Sequence, residues 1–215
     1  MTSFILPVSE IFFSLQGEGR RTGLPTTFIR LVGCPLRCVW CDSEYAFAGG
    51  TKMTLAAILA EVAQYPTKHV CVTGGEPLAH VGAFSLIEAL CDKGCDVAVE
   101  TSGALPIDQL PPKASAIMDL KAPGSGEEAK NRWENLAFLQ EKDEIKLVLA
   151  DRADYEWARD LLRGGRLPAG VPVLLSAVAG CLSPTDLAEW LIADGLNARL
   201  QLQLHKILWG NMRGK

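Results

Sequence analysis

Three cysteines lie close together near the start of the chain, in the segment GCPLRCVWCDSEYAF (33–47). Cys34, Cys38 and Cys41 give the spacing CxxxCxxC. Thiolates are soft, anionic ligands that suit iron–sulfur clusters. A [4Fe–4S] cluster bound only by protein needs four such ligands, so three leave one iron open. The segment therefore predicts a cluster with one iron that a cofactor or substrate can reach.

A structural zinc site is the alternative interpretation of these cysteines. Zinc takes four ligands in a closed tetrahedron, usually from two paired knuckles. No second knuckle follows here, because His69, His80 and His205 are isolated and the other four cysteines are scattered. We favour the cluster and keep a zinc-stabilised binding module as the non-enzymatic alternative.

A second candidate ligand site is the turn in VCVTGGEP (70–77). Gly74 and Gly75 allow a ligand to approach bare backbone, and Glu76 can accept a hydrogen bond from an ammonium group. Other predicted strands also end in polar residues, and active sites of barrel folds collect at the carboxyl ends of their strands. We therefore expect these strand ends to line the opening of one shared active site. The further candidates for it are Ser102, Asp119, Lys121 and Ser176.

The elements that must position these residues alternate between β-rich runs and helical patterns, which is typical of an α/β sheet. Several runs are continuously apolar, as expected of parallel strands covered on both faces. Strands are predicted at 28–33, 69–74, 96–101, 116–121, 144–150, 172–178 and 199–205. Helices are predicted at 54–65, 82–93, 151–163 and 184–194, and three of them have N-terminal caps at Thr54, Asp151 and Ser183.

The chain length limits the fold. A complete (β/α)8 barrel needs about 250 residues, whereas this chain has 215. We therefore predict an α/β fold, a partial and modified TIM-like barrel of about six parallel strands with reduced helices. No linker or internal repeat interrupts the sequence, so residues 1–215 are predicted to form a single domain. The proline-rich segment 106–113 is expected to be a connection, and the polar segment 125–144 a short exposed helix.

Composition bears on partners and location. A net charge of −4 argues against a general nucleic-acid binder. No run of 18 apolar residues is present, and the first residues lack a basic leader with a cleavage site, so we expect no membrane span and a cytoplasmic protein. The odd number of cysteines, seven in all, also favours metal binding over a disulfide framework.

The CxxxCxxC loop followed by Asp42, with the GGEP turn downstream, closely resembles the signature of the radical S-adenosylmethionine (SAM) superfamily. The resemblance implies a [4Fe–4S] cluster whose open iron is chelated by the amino and carboxylate groups of SAM. An electron from the cluster then cleaves SAM to methionine and a 5′-deoxyadenosyl radical. It also implies that the GGEP turn binds the SAM amino group, with Ser102, Asp119, Lys121 and Ser176 as candidates for its ribose and carboxylate.

Three segments outside these motifs resemble the 7-carboxy-7-deazaguanine synthase family. They are SEIFFSLQGEGRRTGLPTTFIRLVGC (9–34), CDSEYAF (41–47) and QLQLHKILWG (201–210). The resemblance extends over residues 9–210. It implies a homodimeric enzyme that converts 6-carboxy-5,6,7,8-tetrahydropterin to the deazapurine precursor of queuosine and related bases. The reaction is a radical ring contraction that expels ammonia, with SAM used catalytically and Mg²⁺ assisting.

The same resemblance, together with the chemistry of a pterin acid, implies roles for further residues. Amide-like edges of the ring would bond to Gln16 and to backbone at Leu15 and Gly17, and the substrate carboxylate would pair with the fork of Arg30. Ser43 would bind Mg²⁺, where the family more often carries threonine. Other substrate-binding candidates are Thr73, His205 and Lys206, the last two expected on the C-terminal strand, and Glu18 is a candidate base.

A glycyl-radical activating enzyme is the alternative enzymatic interpretation, since such enzymes share a small size and a CxxxCxxC loop. It gives no reason for the QGEG (16–19) and QLHK (203–206) segments. We therefore favour the synthase. The reductant is expected to be a flavodoxin or ferredoxin, and the sequence leaves open the final deazapurine and the dimer interface.

Overall fold

The structure is a computed structural model that describes residues 4–215. One sheet of nine strands organises it. The strands are β1 (Ile5–Leu15), β2 (Pro25–Leu31), β3 (Thr51–Thr54), β4 (His69–Gly74), β5 (Asp96–Thr101), β6 (Ser115–Asp119), β7 (Glu144–Leu149), β8 (Val173–Ala177) and β9 (Arg199–Gln201). The helices are α1 (Leu55–Val62), α2 (Val81–Asp92), α3 (Arg152–Arg163), α4 (Pro184–Asp194) and α5 (Leu204–Trp209).

The strand order is β3-β1-β2-β4-β5-β6-β7-β8-β9. From β2 to β9 every neighbouring pair is parallel, whereas β1 is antiparallel to both β2 and β3. Six of the parallel strands are five to seven residues long, and the seventh, β9, has three. The predicted α/β partial barrel of about six parallel strands with reduced helices is therefore confirmed.

The two faces of the sheet differ in polarity because side chains alternate along a strand. On β7, Ile145, Leu147 and Leu149 belong to the apolar core, whereas Glu144 and Lys146 have the opposite parity. The same alternation on the other parallel strands puts several polar side chains on the interior face of the sheet. Interior residues that line the cavity described below are Arg30, Thr73, Glu100, Asp119 and Lys146.

The predicted helices are confirmed to within a few residues, and so are their caps. The side chain of Thr54 accepts a hydrogen bond from the Ala57 amide, and that of Asp151 accepts one from Asp154. Ser183 caps α4 in the same way. None of the helices in the described part of the chain combines the length and hydropathy that crossing a bilayer requires.

Two strands were not predicted. β1 contains Pro7, and its pairing with β2 is irregular between Val8 and Glu10, so the alternation of polar and apolar residues is interrupted. β3 is only four residues long and pairs with β1. A proline and a bulge are tolerated here because this pairing lies towards the edge of the sheet.

The predictions at two other places were wrong. Residues 199–205 were expected to form one strand, but β9 ends at Gln201 and α5 begins at Leu204, so His205 and Lys206 lie on a helix. The cause is a tertiary contact, in which the Leu204 amide donates to the Gly17 carbonyl at 3.1 Å. Segment 125–144 forms short 3-10 turns rather than one helix.

Candidate active site

A cavity of about 510 Å³ opens at the carboxyl ends of the parallel strands. It brings together most of the residues that the sequence singled out. Those lining it are Leu15, Gln16, Gly17, Glu18, Arg30, Cys34, Cys38, Cys41, Ser43, Thr73, Gly74, Gly75, Ser102, Asp119, Lys121, His205 and Lys206. Glu76 and Ser176 are the predicted site residues that do not line it.

The cysteine loop follows β2 and is fixed by backbone contacts. The Gly33 amide donates to the Ala46 carbonyl at 2.7 Å, and the Val39 amide donates to the Ser125 carbonyl at 3.1 Å. The Arg37 guanidinium donates to the Cys34 carbonyl at 2.9 Å. These bonds hold the loop between β2 and the turn after β6. All three thiols are free and line the cavity.

The chemistry of this donor set fits an iron–sulfur cluster. Burial raises the pKa of the Cys34, Cys38 and Cys41 thiols, and the Lys121 ammonium partly opposes that rise. Binding iron must therefore release protons, and cluster assembly should improve as pH rises. Within residues 4–215 no three His, Cys, Asp or Glu side chains converge closely enough to hold one metal ion. Each thiolate of an iron–sulfur cluster binds a different iron, so three cysteines that lie too far apart to share one metal ion can still hold a cluster.

The glycine turn after β4 packs directly on the cysteine loop. The Glu76 amide donates to the Gly33 carbonyl at 2.8 Å. A Cβ atom at Gly75 would lie 2.5 Å from the Gly33 carbonyl oxygen and 2.6 Å from the Cys34 Cβ. Glycine is required here because two backbone segments meet without room for a side chain.

Replacing Gly75 by alanine should therefore displace Cys34 and weaken cluster binding. We expect the iron content of the reconstituted protein to fall about tenfold, comparable to the loss of a metal-site supporting contact. Gly164→Ala is the control, because Gly164 ends α3 with ordinary helical backbone angles and lies outside the cavity lining. Wild-type iron content in Gly75→Ala would show that the close packing is not needed.

Glu76 lies beneath the cavity rather than in its wall. Its carboxylate is fully buried and accepts hydrogen bonds from the Leu78 amide at 2.9 Å and from the Ser102 amide at 2.7 Å. The hydroxyls of Thr101 and Ser102 donate to it as well. The structure thus gives Glu76 a different position from the predicted contact with the SAM ammonium. It ties the end of β4 to the end of β5.

A Glu76→Gln substitution should destabilise the fold, because an amide NH2 would face donors that now point at a carboxylate oxygen. Leaving such buried groups unpaired costs about 1–3 kcal/mol. For a chain of this size that corresponds to a melting temperature lower by about 2–12 °C. Thermal melts should compare it with Glu88→Gln, an exposed carboxylate on α2. Equal shifts for the two variants would argue against this linking role.

The ends of β5 and β6 supply the other groups predicted to bind SAM. Asp119 Oδ2 is 3.0 Å from the Lys121 ammonium. Asp119 Oδ1 is buried and has no hydrogen-bond partner within residues 4–215. An unpaired carboxylate oxygen beside a cation fits the hydroxyl and carboxylate groups of SAM. Ser102 lines the same wall but shares its hydroxyl with Glu76, and Ser176 is buried in β8 outside the cavity lining.

The loop after β1 and helix α5 form the opposite wall. Gln16 is buried, and its Nε2 atom has no partner among the described residues. The Gly17 carbonyl accepts from Leu204, and a Cβ at Gly17 would collide with the His205 ring. Burial lowers the pKa of His205, which favours its neutral form. This wall therefore offers amide and imidazole groups to a ring with polar edges.

Arg30 projects from β2 into the cavity. Its Nε donates to Glu10 at 2.8 Å, and the Tyr45 hydroxyl donates to the same carboxylate at 2.8 Å. The guanidinium carbon of Arg30 is 5.7 Å from the centroid of the Tyr45 ring, and that of Arg213 is 3.9 Å from it. The side chain of Arg30 is thus oriented by a carboxylate and an aromatic ring, as a fixed anion-binding fork requires.

Glu18 is held as an anion, which argues against the predicted role of base. Its carboxylate is 2.8 Å from the Lys146 ammonium and accepts from Gln203 at 2.8 Å and from Gln201 at 3.2 Å. Burial raises its pKa, but the charge of Lys146 and the hydrogen bonds from Lys146 and Gln203 outweigh burial and lower it. A carboxylate with so many donors is a weak proton acceptor.

Ser43 and Asp42 follow the third cysteine at the edge of the cavity. The Ser43 hydroxyl donates to Asp42 Oδ1 at 2.9 Å, and Asp42 Oδ2 is 2.9 Å from the Lys206 ammonium. These are hard oxygen donors, which suit Mg²⁺. The ion pair also connects the cysteine loop to α5.

Among the cavity residues that the sequence did not assign to the site are two charged residues on parallel strands, Glu100 on β5 and Lys146 on β7. Glu100 accepts a hydrogen bond from the Thr73 hydroxyl at 2.9 Å. Both are charged residues at strand positions whose parity faces away from the core. That parity is the signal that could have identified them.

Comparisons with known proteins agree with this geometry. The family model described as the radical SAM superfamily matches residues 28–120, which include the cysteine loop and the GGEP turn. The chain is 43% identical over 207 residues to the 7-carboxy-7-deazaguanine synthase of Chlorobaculum tepidum, a match that covers 95% of this chain and 94% of that protein. The synthase of Koribacter versatilis is also 43% identical, over 219 residues, with 95% and 97% covered.

The fold is similar to that of a solved structure as well. The crystal structure of QueE from Escherichia coli superposes with a TM-score of 0.77 at 27% sequence identity. The match covers 94% of this chain and 95% of that one.

Proposed function

The chain belongs to the 7-carboxy-7-deazaguanine synthase family of radical SAM enzymes, and we propose that its cavity binds 6-carboxy-5,6,7,8-tetrahydropterin beside SAM. The product is 7-carboxy-7-deazaguanine, formed by ring contraction with loss of ammonia in queuosine and deazapurine biosynthesis. One observation carries this proposal. The cysteine loop, the glycine turn, Arg30 and the Gln16–Gly17 segment line a single cavity.

The cofactor half of the site lies at the ends of β2, β4, β5 and β6. When bound, the [4Fe–4S] cluster and SAM supply the radical that starts the reaction. Cys34, Cys38 and Cys41 hold the cluster. The backbone of Gly74 and Gly75 would receive the amino group of SAM, and Asp119, Lys121 and Ser102 would orient its ribose and carboxylate.

The substrate half lies between β2 and α5. Arg30 pairs with the substrate carboxylate, while Gln16, Glu100 and His205 meet the polar edges of the pterin ring. Phe12 and Phe28 stack at 4.8 Å between ring centroids and form an apolar wall that excludes water from the ring. Leu15, Gly17, Thr73 and Lys206 complete the pocket. These residues hold the reacting carbon of the substrate against SAM and supply no radical themselves.

We propose that Mg²⁺ binds next to the Ser43 hydroxyl, with Asp42 beside it. Both groups offer oxygen, which magnesium prefers, and both line the cavity. An ion held by these oxygens would face the cavity that Arg30 also lines. It would act there as an electrostatic template.

The remaining proposals concern the whole protein. We propose one domain over residues 1–215, since a continuous sheet connects the described elements. A homodimer is supported by the exposed apolar side chains Ile207 and Leu208 of α5. The exposed outer side of the cysteine loop, with Arg37 and Val39, suits docking of a flavodoxin or ferredoxin. Free cysteines support a cytoplasmic location.

An anaerobic assay tests the proposed function. The protein is reconstituted with iron and sulfide and given SAM, a reductant, Mg²⁺ and carboxytetrahydropterin. We expect 7-carboxy-7-deazaguanine and an equivalent of ammonia, in amounts that exceed the SAM consumed. Release of 5′-deoxyadenosine without either product would contradict the proposed identity of the substrate. Modification of a glycyl-radical partner would favour the alternative of a glycyl-radical activating enzyme.

A further inference from the structure

Lys146 lies on the cavity floor, between the two halves of the site. Its side chain projects from β7 into the polar interior and is 13% exposed. The ammonium is 2.8 Å from Glu18 Oε2 and 3.7 Å from Asp119 Oδ2. Glu18 directly follows the Gln16–Gly17 segment of the substrate half, and Asp119 belongs to the SAM half. One cation therefore contacts both halves.

The contacts of Lys146 form part of a longer row of alternating charges. Asp119 also pairs with Lys121 at 3.0 Å, so the row reads carboxylate, ammonium, carboxylate, ammonium from Glu18 to Lys121. Opposite charges that are adjacent and partly shielded from water attract strongly and fix one another. Without Lys146, two carboxylates would face each other across the floor with no cation between them.

The Glu18 end of this row is anchored to the C-terminal segment. Gln201 and Gln203 donate to its carboxylate, and the Gly17 carbonyl accepts from the Leu204 amide. Displacing Glu18 would therefore also move the loop and the wall that face the substrate. The row of alternating charges thus connects the wall that faces the substrate to the residues proposed to orient SAM.

A role as proton donor fits Lys146 less well. Loss of ammonia requires a proton, and an ammonium in the cavity is a natural candidate for it. Burial lowers the pKa of Lys146, but Glu18, Asp119 and Glu100 outweigh burial and raise it well above its usual value. An ammonium that retains its proton so firmly is a poor acid. Its position between two carboxylates is the more informative feature.

We propose that Lys146 is a positioning residue that couples the two halves of the site by holding Glu18 and Asp119 in fixed relation. The proposal rests on the proposed function, because it assigns SAM and the pterin to the two sides of the lysine. Misplacement of reacting groups by about 1 Å can cost on the order of a hundredfold in rate. Loss of Lys146 should therefore impair hydrogen transfer between SAM and substrate more than it impairs SAM cleavage.

The test is Lys146→Met, assayed with SAM, reductant and carboxytetrahydropterin. We expect iron content and SAM cleavage close to wild type, and a fall of at least about tenfold in the ratio of 7-carboxy-7-deazaguanine to 5′-deoxyadenosine. Lys146→Arg keeps the charge and should restore part of that ratio. Lys113→Met is the control, since Lys113 is exposed and lies outside the cavity lining.

A ratio within twofold of wild type in Lys146→Met would overturn the proposal. If that variant does not fold, the double variant Lys146→Met/Glu18→Gln removes the unpaired carboxylate together with the lysine. Its ratio of 7-carboxy-7-deazaguanine to 5′-deoxyadenosine is then judged by the same twofold limit. Absence of product from the wild-type chain would instead overturn the proposed function, and this role with it.

Discussion

Replacing Cys38 by alanine should abolish product formation and SAM cleavage together. Cys38 is the middle member of the CxxxCxxC loop, and it lines the cavity together with the other two cysteines. Three thiolates leave one iron of a [4Fe–4S] cluster open. With only two thiolates a second iron also loses its protein ligand, and the cluster is not held stably. The loss should exceed the ~10–100-fold cost of removing a metal-site supporting residue. Iron and sulfide analysis and 5′-deoxyadenosine release measure it.

Cys181→Ala is the matched control for that experiment. Cys181 is a free, exposed cysteine that does not line the cavity, so its removal should leave iron content and activity unchanged. Full iron content and SAM cleavage in Cys38→Ala would mean that another residue binds the cluster. The assignment of the loop would then be wrong.

An Arg30→Gln substitution should raise the KM for carboxytetrahydropterin by about 10–150-fold, which corresponds to the ~1.5–3 kcal/mol of a hydrogen bond to a charged group. Arg30 is the cavity arginine whose guanidinium is oriented by Glu10 and Tyr45. SAM cleavage without substrate should change little, because Arg30 lies in the substrate half. Arg30→Lys should recover only part of the affinity, since an ammonium cannot form the bidentate fork.

Arg21→Gln provides the control for loss of a buried ion pair alone. Arg21 is partly buried and bonds to Asp96 with Nε at 2.8 Å, yet it does not line the cavity. We expect that variant to lose stability without a change in KM. A wild-type KM in Arg30→Gln, measured on folded protein, would remove Arg30 from the substrate site.

The features predicted best from sequence are those whose signal is local. The cysteine spacing, the GGEP turn and the strand-end polar residues required only the rule that parallel strands present their carboxyl ends at one edge. The structure accordingly places Thr73, Ser102 and Asp119 around one cavity. Helix caps at Thr54 and Ser183 were likewise visible as short motifs.

The features that sequence missed depend on partners far apart in the chain. Lys146 and Glu18 are 128 positions apart, so neither the pairing nor its effect on the Glu18 carboxylate could be inferred locally. The alternating pattern of residues 199–205 predicted a strand, but the bond between Leu204 and Gly17 favours a helix there. Glu76 was assigned to the ligand because the turn alone does not reveal Thr101 and Ser102 beneath it.

Electron paramagnetic resonance of the anaerobically reconstituted, reduced protein tests the assignment of the loop most directly. With three protein thiolates on a four-iron cube, the uncapped iron should take SAM as its ligand, and the g values of the reduced cluster should shift when SAM is added. An unchanged spectrum in saturating SAM, from protein with a full complement of iron and sulfide, would mean that the chain itself closes the fourth corner.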